Sequence, residues 1–201
     1  MAKLYYYYSS MNAGKSALLL LCNHNYISNN MHTLLLTPDV DIRDGVHKIK
    51  SRIGLESEAH IFKQSDNLYD IVIKNNNNCK INCIFIDEAQ FLSVEHVDQL
   101  SDVCDNLYIP VIAYGLRTDS NGNLFEGSQR LLAIADKLIE VKTMCNAQKC
   151  GYFCDKKATM VVRLDEENNV IKNGQQILIG DSQYVSVCRK HFKAIYKSNS
   201  K

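Results

Sequence analysis

Residues 4–16 read "LYYYYSSMNAGKS", and the fold follows from how this stretch is interpreted. A β-rich run, "KLYYYYS" (3–9), stops at a loop carrying Gly14, Lys15 and Ser16, and "KSALLLLCNHNYIS" (15–28) continues with helical character. Strand, Gly-Lys-Ser loop and helix together form the setting of a phosphate-binding loop, where backbone N–H groups at a helix start surround phosphate oxygens. There Gly14 permits close approach, Lys15 reaches the β- and γ-phosphates, and the Ser16 hydroxyl goes to Mg²⁺. The pattern G-x-x-x-x-G-K-[ST] asks for glycine where this chain has Ser9. Serine is tolerated at that point as long as φ stays negative.

Further along, "NCIFIDEAQF" (82–91) reads as a strand whose "IFI" core suits burial on both faces and which ends on Asp87 and Glu88. An aspartate at that place is a Mg²⁺ partner of the phosphate loop, and the adjacent glutamate can act as a base. "HTLLLTPD" (32–39), "IPVIAYGL" (109–116) and "KLIEVKT" (137–143) supply further strands, and a polar helix is expected over 93–106. Strands alternating with helices indicate βαβ units and therefore an α/β fold with a mainly parallel sheet. Residues 40–66 read as loose and "KNNNNCK" (74–80) as a solvated turn. From Met144 the texture changes to cysteines, short β-like runs and turns, which places a boundary between a first domain, 1–143, and a second, 144–193, followed by a tail, 194–201.

The chain has 201 residues, 46% of them apolar, and its 23 Lys and Arg against 22 acids leave a net charge of +1. That balance disfavours a protein whose main task is gripping nucleic acid. No signal-peptide pattern and no membrane-spanning apolar run is visible, so a cytoplasmic location without membrane contact is expected. The eight cysteines fall into two groups. Cys22, Cys79, Cys83 and Cys104 sit in or beside apolar segments and read as small buried hydrophobes. Cys145, Cys150, Cys154 and Cys188, with His191, offer five candidates for the four ligands of a closed, structural Zn²⁺ site. Cys188-x-x-His191 has ligand spacing; which two of Cys145, Cys150 and Cys154 complete the set is open.

Taken together, "LYYYYSSMNAGKS", "SRIG", "DEAQFL", "IPVIAYGLRTD", "LFEGS", "DKLIEVKT", "RLD" and "YVSVCRKHF" resemble the type II, zinc-containing thymidine kinases, most closely the bacterial branch, in family order along nearly the whole chain. The resemblance implies a RecA-like P-loop domain with a zinc-bearing lasso domain, transfer of the ATP γ-phosphate to the 5′-OH of thymidine, a homotetramer, and feedback inhibition by thymidine triphosphate (dTTP). It implies that Ser9, Ser10, Met11, Asn12, Ala13, Gly14, Lys15 and Ser16 hold ATP, with Asp87 at the Mg²⁺, Glu88 as general base, and Ala89 and Gln90 beside the nucleotide. Met11, Phe91, Leu116 and Phe125 would line the base, with the lasso residues Ile177, Leu178, Ile179, Gly180 and Tyr184 closing over it. This chain departs from relatives at Ser120, where many have an aromatic residue, and at Gly180-Asp181, where a Gly-Gly pair is common and the loop is one residue longer. Arg52 and Arg163 are further phosphate-clamp candidates, against ordinary surface or structural roles. Rival readings are an ATP-driven nucleic-acid motor, because "DEAQ" also looks like a helicase box, and a zinc-ribbon nucleic-acid module with a vestigial ATP site. A motor generally needs two RecA-like domains, and this chain has room for one.

Overall fold

The alternation of side chains along the strands decides the architecture. A computed structural model describes residues 1–39, 47–151, 153–167, 169–171 and 183–198, with side chains undescribed at 149, 150, 197 and 198. Its elements are β1 (Leu4–Ser9), α1 (Lys15–Ser28), β2 (Thr33–Pro38), β3 (Lys48–Lys50), β4 (Glu56–Glu58), β5 (His60–Phe62), α2 (Leu68–Asn78), β6 (Cys83–Ile86), α3 (Val94–Asn106), β7 (Val111–Leu116), α4 (Glu126–Ile134), β8 (Lys137–Glu140), β9 (Thr143–Met144), β10 (Lys157–Ala158), β11 (Met160–Leu164), β12 (Gln183–Val187) and α5 (Arg189–Ser198). They divide into two units. One comprises Met1–Tyr8, Gly14–Gly115 and Glu126–Glu140; the other comprises Ser9–Ala13, Leu116–Phe125 and the described part of Val141–Lys201.

The first unit is built on a six-stranded sheet in the order β5-β2-β6-β7-β1-β8, with parallel pairing of β1 with β8, of β2 with β5 and β6, and of β6 with β7. Period-2 alternation sends Leu34, Leu36, Ile84 and Ile86 to one apolar cluster, and Leu35, Cys83 and Phe85 to another. Helices cover both faces: α2, α3 and α4 through Leu68, Val97, Leu100 and Leu131, and α1 through Leu19 and Leu20. Each such fully buried Leu, Ile or Phe contributes about 1.5–3 kcal/mol of transfer free energy. Among the described residues no helix is long and apolar enough to cross a membrane.

Several local expectations give way to tertiary context. Residues 47–62 hold the antiparallel pair β3–β4, turned at Ser51 and Leu55, and β5 at the sheet edge beside β2. The asparagine tract is the end of α2: Asn67 caps its start by accepting from the Asp70 N–H, and Leu68 and Val72 anchor it in the core. Cys79 is exposed just past that helix, whereas Cys83 and Cys104 are buried. The strand expected over 82–91 ends at Ile86 and becomes a 3₁₀ turn at Ala89–Phe91.

The second unit has smaller pieces. β9 pairs with β10 and β11 with β12, both antiparallel, and α5 packs Ile195 into a cluster with Val162, Leu164, Val185 and Val187. Where a tail is expected from residue 194, helix α5 runs on to Ser198, because Ile195 and Tyr196 have apolar neighbours to pack against.

Candidate active site and metal cluster

In a parallel sheet, ligands gather at the carboxyl ends of the strands. The first unit places Asp87 and Glu88 there, directly after β6, and places Gly14, Lys15 and Ser16 at the start of α1, the helix that follows β1. Gly14 adopts the left-handed conformation, φ 80°, which favours glycine, and it stands as the N-cap of α1 with no acidic side chain in the first turn. The first-turn amides of α1 carry no side-chain cap and form the partial positive end of the helix.

Lys15 is 9% exposed. Burial pushes its ammonium below the ordinary lysine value, while the charges of Glu88 and Asp87 pull it back up. Asp87 is buried as well, and its carboxyl is raised, first by burial and then by the neighbouring charge of Glu88. A hydrogen bond from Ser16 and the Lys15 charge act in the opposite direction. Its backbone N–H is fixed to the Leu36 carbonyl at 3.0 Å, while its Oδ1 is buried with no hydrogen-bond partner among the described residues. A buried carboxylate oxygen left without a donor is costly unless a cation takes it. With the Ser16 hydroxyl beside it, the donor set suits a hard, oxygen-seeking divalent ion.

Glu88 sits in the left-handed region, φ 50°, ψ 40°, a conformation that costs a non-glycine residue about 1–2 kcal/mol. Strain of this kind persists where the surroundings over-determine it. The Gln90 side-chain amide donates to Glu88 Oε2 at 2.5 Å. Two glycines bear on the same turn. A Cβ on Gly115, in β7, would lie 2.9 Å from the Gln90 nitrogen. A Cβ on Gly127, in α4, would lie 2.4 Å from the Leu92 carbonyl oxygen and 2.8 Å from that of Ala89. These neighbours are backbone and cannot swing aside, so both positions exclude a side chain.

Residues 9–13 belong to the second unit. Ser9 and Ser10 are buried, and Ser9 has no positive φ, so a glycine is not demanded there; Asn12 takes the left-handed conformation in the loop. The Ser9 carbonyl accepts from the Arg117 N–H at 3.1 Å, the Met11 carbonyl from the Ser186 hydroxyl at 2.5 Å, and the Asn12 carbonyl from the Thr143 hydroxyl at 3.4 Å. Of the expected base-lining residues, Phe125 is buried and Met11, Leu116 and Tyr184 are half-buried in this unit, while Phe91 is half-buried in the first. Ile177, Leu178, Ile179 and Gly180 lie outside the described residues. Arg163 is buried in β11, opposite Tyr184 of β12, and Arg52 acts on Lys15 as a like charge.

The second unit also gathers Cys145, Cys154, Cys188 and His191, whose ligand atoms all lie within 4.8 Å of one another. Cys145 Sγ is 3.6 Å and Cys188 Sγ 3.5 Å from His191 Nδ1, and Cys154 Sγ is 4.0 Å from Cys188 Sγ. Metal–sulfur bonds of about 2.3 Å in a tetrahedron would separate the sulfurs by about 3.8 Å, so the donors stand close to ligating distance. Burial pushes the Cys145 thiol up to about 11. Burial acts the same way on Cys188, but the backbone N–H of His191 and the neighbouring thiols outweigh it and hold that thiol below its ordinary value. Cys150 ends a 3₁₀ turn, Ala147–Cys150, and its side chain lies outside the described ones.

A family model described as "Thymidine kinase" matches residues 2–192. The chain is 54% identical over 199 residues to a curated protein named "Thymidine kinase" from Rhodopirellula baltica, covering 98% of this chain and 91% of the relative. It is 51% identical over 194 residues to one of the same name from Vibrio vulnificus strain YJ016, covering 96% of this chain and 97% of that protein. A third, from Yersinia pestis, is 48% identical over 199 residues with 98% of each chain covered. The chain belongs to the thymidine kinase family. For a thymidine kinase, the residues that motif reading overlooks are Gly115 and Gly127, which exclude side chains around the Glu88–Gln90 turn, and Ser186 and Thr143, which hold residues 11 and 12. The glycines do stand in quoted motifs, "AYGL" and "LFEGS", but nothing in a linear motif shows which backbone they approach. Two hydroxyl contacts spanning 175 and 131 residues leave no sequence signal at all.

Proposed function

We propose that this thymidine kinase family member transfers the γ-phosphate of ATP to the 5′-OH of thymidine, giving dTMP and ADP. The observation that carries this reading is the grouping of buried Lys15 and Asp87 with half-buried Glu88 at the start of α1 and the end of β6. The 5′-oxygen forms its bond to the γ-phosphorus as the bond to the β,γ-bridging oxygen breaks, and ADP leaves with that electron pair. Glu88 accepts the hydroxyl proton, and Gln90 holds the accepting carboxylate in place through its 2.5 Å hydrogen bond. Lys15 and the α1 amides face the negative charge of the phosphates. Asp87 and Ser16 would hold the Mg²⁺ of the nucleotide, which neutralises phosphate charge when bound.

Met11, Phe91, Leu116, Phe125 and Tyr184, with Ile177, Leu178, Ile179 and Gly180, are assigned to the nucleoside by their resemblance to the family. Cys145, Cys154, Cys188 and His191 would hold one Zn²⁺; three thiols and an imidazole fill a tetrahedron, so the metal has a bracing role. A homotetramer, dTTP as feedback inhibitor, a cytoplasmic location and no nucleic-acid partner complete the proposal. A panel of nucleosides incubated with ATP and Mg²⁺ and scored for monophosphate tests it: ADP release that depends on thymidine is the expected result. Nucleoside-independent hydrolysis together with strongly salt-dependent DNA binding would overturn it in favour of a nucleic-acid role.

A further inference from the structure

Helix α5 contributes no group to the proposed chemistry, yet it is tied to two different parts of the second unit. Its first turn holds His191 of the cysteine–histidine cluster, immediately after Cys188. From the next turn Phe192 and Tyr196, four residues apart and therefore on one face, stack with ring centroids 4.6 Å apart. That face meets the loop between Leu116 and Phe125. The Tyr196 hydroxyl lies 2.5 Å from the Ser120 carbonyl oxygen and 3.0 Å from Oδ1 of Asn121, and the nearer oxygen takes its proton. Gly122, at φ +87°, lets the loop lie against α5: a Cβ there would stand 3.4 Å from Cζ of Phe192 and 3.2 Å from Cε of Met160.

At its start Arg117 reaches outward, its N–H to the Ser9 carbonyl at 3.1 Å and its guanidinium to the Thr159 carbonyl at 2.7 Å, while the turn beyond it carries bonds of its own. Asp119 Oδ1 accepts from the Asn121 and Asn123 N–H groups at 2.9 and 2.8 Å, the Asp119 N–H donates to the Asn123 carbonyl, and Thr118 bridges Leu124. These bonds set the loop's internal shape and leave its orientation within the unit to outside contacts. Tyr196 supplies such a contact with a strong acceptor of the loop's own backbone, a group that needs a donor once removed from water.

We propose that Tyr196 is a positioning residue for nucleoside binding. Through the Ser120 carbonyl it fixes the loop whose two ends are Leu116 and Phe125, and through α5 it links that loop to the cysteine–histidine cluster. The proposal rests on the reading of Leu116 and Phe125 as base-lining residues. Steady-state kinetics of the full chain test it, with thymidine and ATP varied separately. Tyr196→Phe keeps the stacked ring and removes the donor; it should raise KM for thymidine about three- to tenfold, the range spanned by the net contribution of one hydrogen bond. KM for ATP, kcat and metal content should stay close to the parental values, the signature of lost binding in ground and transition states alike. Tyr196→Ala should raise KM for thymidine further, and Lys193→Ala, at an exposed site on the same helix, should leave it unmoved. An unchanged KM for thymidine in the folded Tyr196→Phe protein would overturn the proposal, as would an equal rise in both KM values with a lower Tm. A parental protein that phosphorylates no thymidine would overturn the kinase reading as well; an active parent with an unmoved variant overturns this inference alone.

Discussion

The two units reach order by different routes. The first sandwiches a six-stranded sheet between apolar clusters on its two faces, with helices over both. Among its described residues the second has two-stranded pairs and one smaller cluster in which Cys145 and Cys188 are themselves members. Isolated two-stranded pairs are marginal in water, and a bound metal can supply folding free energy that so little apolar burial does not. The difference has a chemical consequence. A large, layered core can keep Lys15 and Asp87 out of water without losing its shape, which is what charge stabilisation at a phosphate requires. A small unit gathered around a cysteine–histidine cluster that could hold a metal suits adjustable recognition. On this comparison, lesions at the Glu88–Gln90 turn of the first unit should act on turnover, and lesions at the cysteine–histidine cluster or in the loop between Leu116 and Phe125 of the second on metal content or nucleoside binding.

The largest effect is expected from Glu88→Gln, which keeps size and hydrogen bonding but removes the base: kcat should fall about 10²–10⁴-fold with ATP affinity retained. Turnover at the parental rate would remove Glu88 from its role and, with it, the chemical assignment of the first unit. Gly127→Ala comes next. Its methyl group would force the Leu92 and Ala89 carbonyls away and shift the turn that carries Glu88 and Gln90. Misplacement of about 1 Å can cost about 10²-fold, so kcat should drop by up to that amount while KM for thymidine changes little. A dominant KM effect would break the division between the units.

For the second unit, Cys154→Ser should cut zinc content below half of one ion per chain by elemental analysis, whereas Cys150→Ser should leave it near one. The reverse pattern would replace one ligand of the cluster by another. The smallest effect concerns Ser120: Ser120→Phe should lower KM for thymidine by about fivefold, or about 1 kcal/mol, if the added ring is partly buried against the base. A raised KM would show that the ring displaces the loop from Tyr196 and that this space is already filled.

The sequence by itself determined the α/β class and the reach of α1 over residues 15–28, and it singled out Gly14, Lys15, Ser16, Asp87 and Glu88 as the candidates for a phosphate-and-base set. These features are local: strand period, helix start and the geometry of a phosphate loop act over a few residues, so they can be read from spacing. It left open which cysteines join Cys188 and His191, since spacing along a chain does not fix separation in space. The pairing of Met144 with Lys157, and of the Cys145 N–H with the Lys156 carbonyl, brings the two ends of this stretch together, so Cys145 and Cys154 meet in one cluster despite their separation along the chain. Local polarity likewise misdirected the reading of the asparagine tract, where burial of Leu68 and Val72 outweighs the weak turn preference of the asparagines and keeps α2 helical to Asn78. Only the tertiary structure could set Gly115 and Gly127 against the Glu88–Gln90 turn, and Tyr196 against the Ser120 carbonyl, because those contacts depend on backbones brought together from distant parts of the chain.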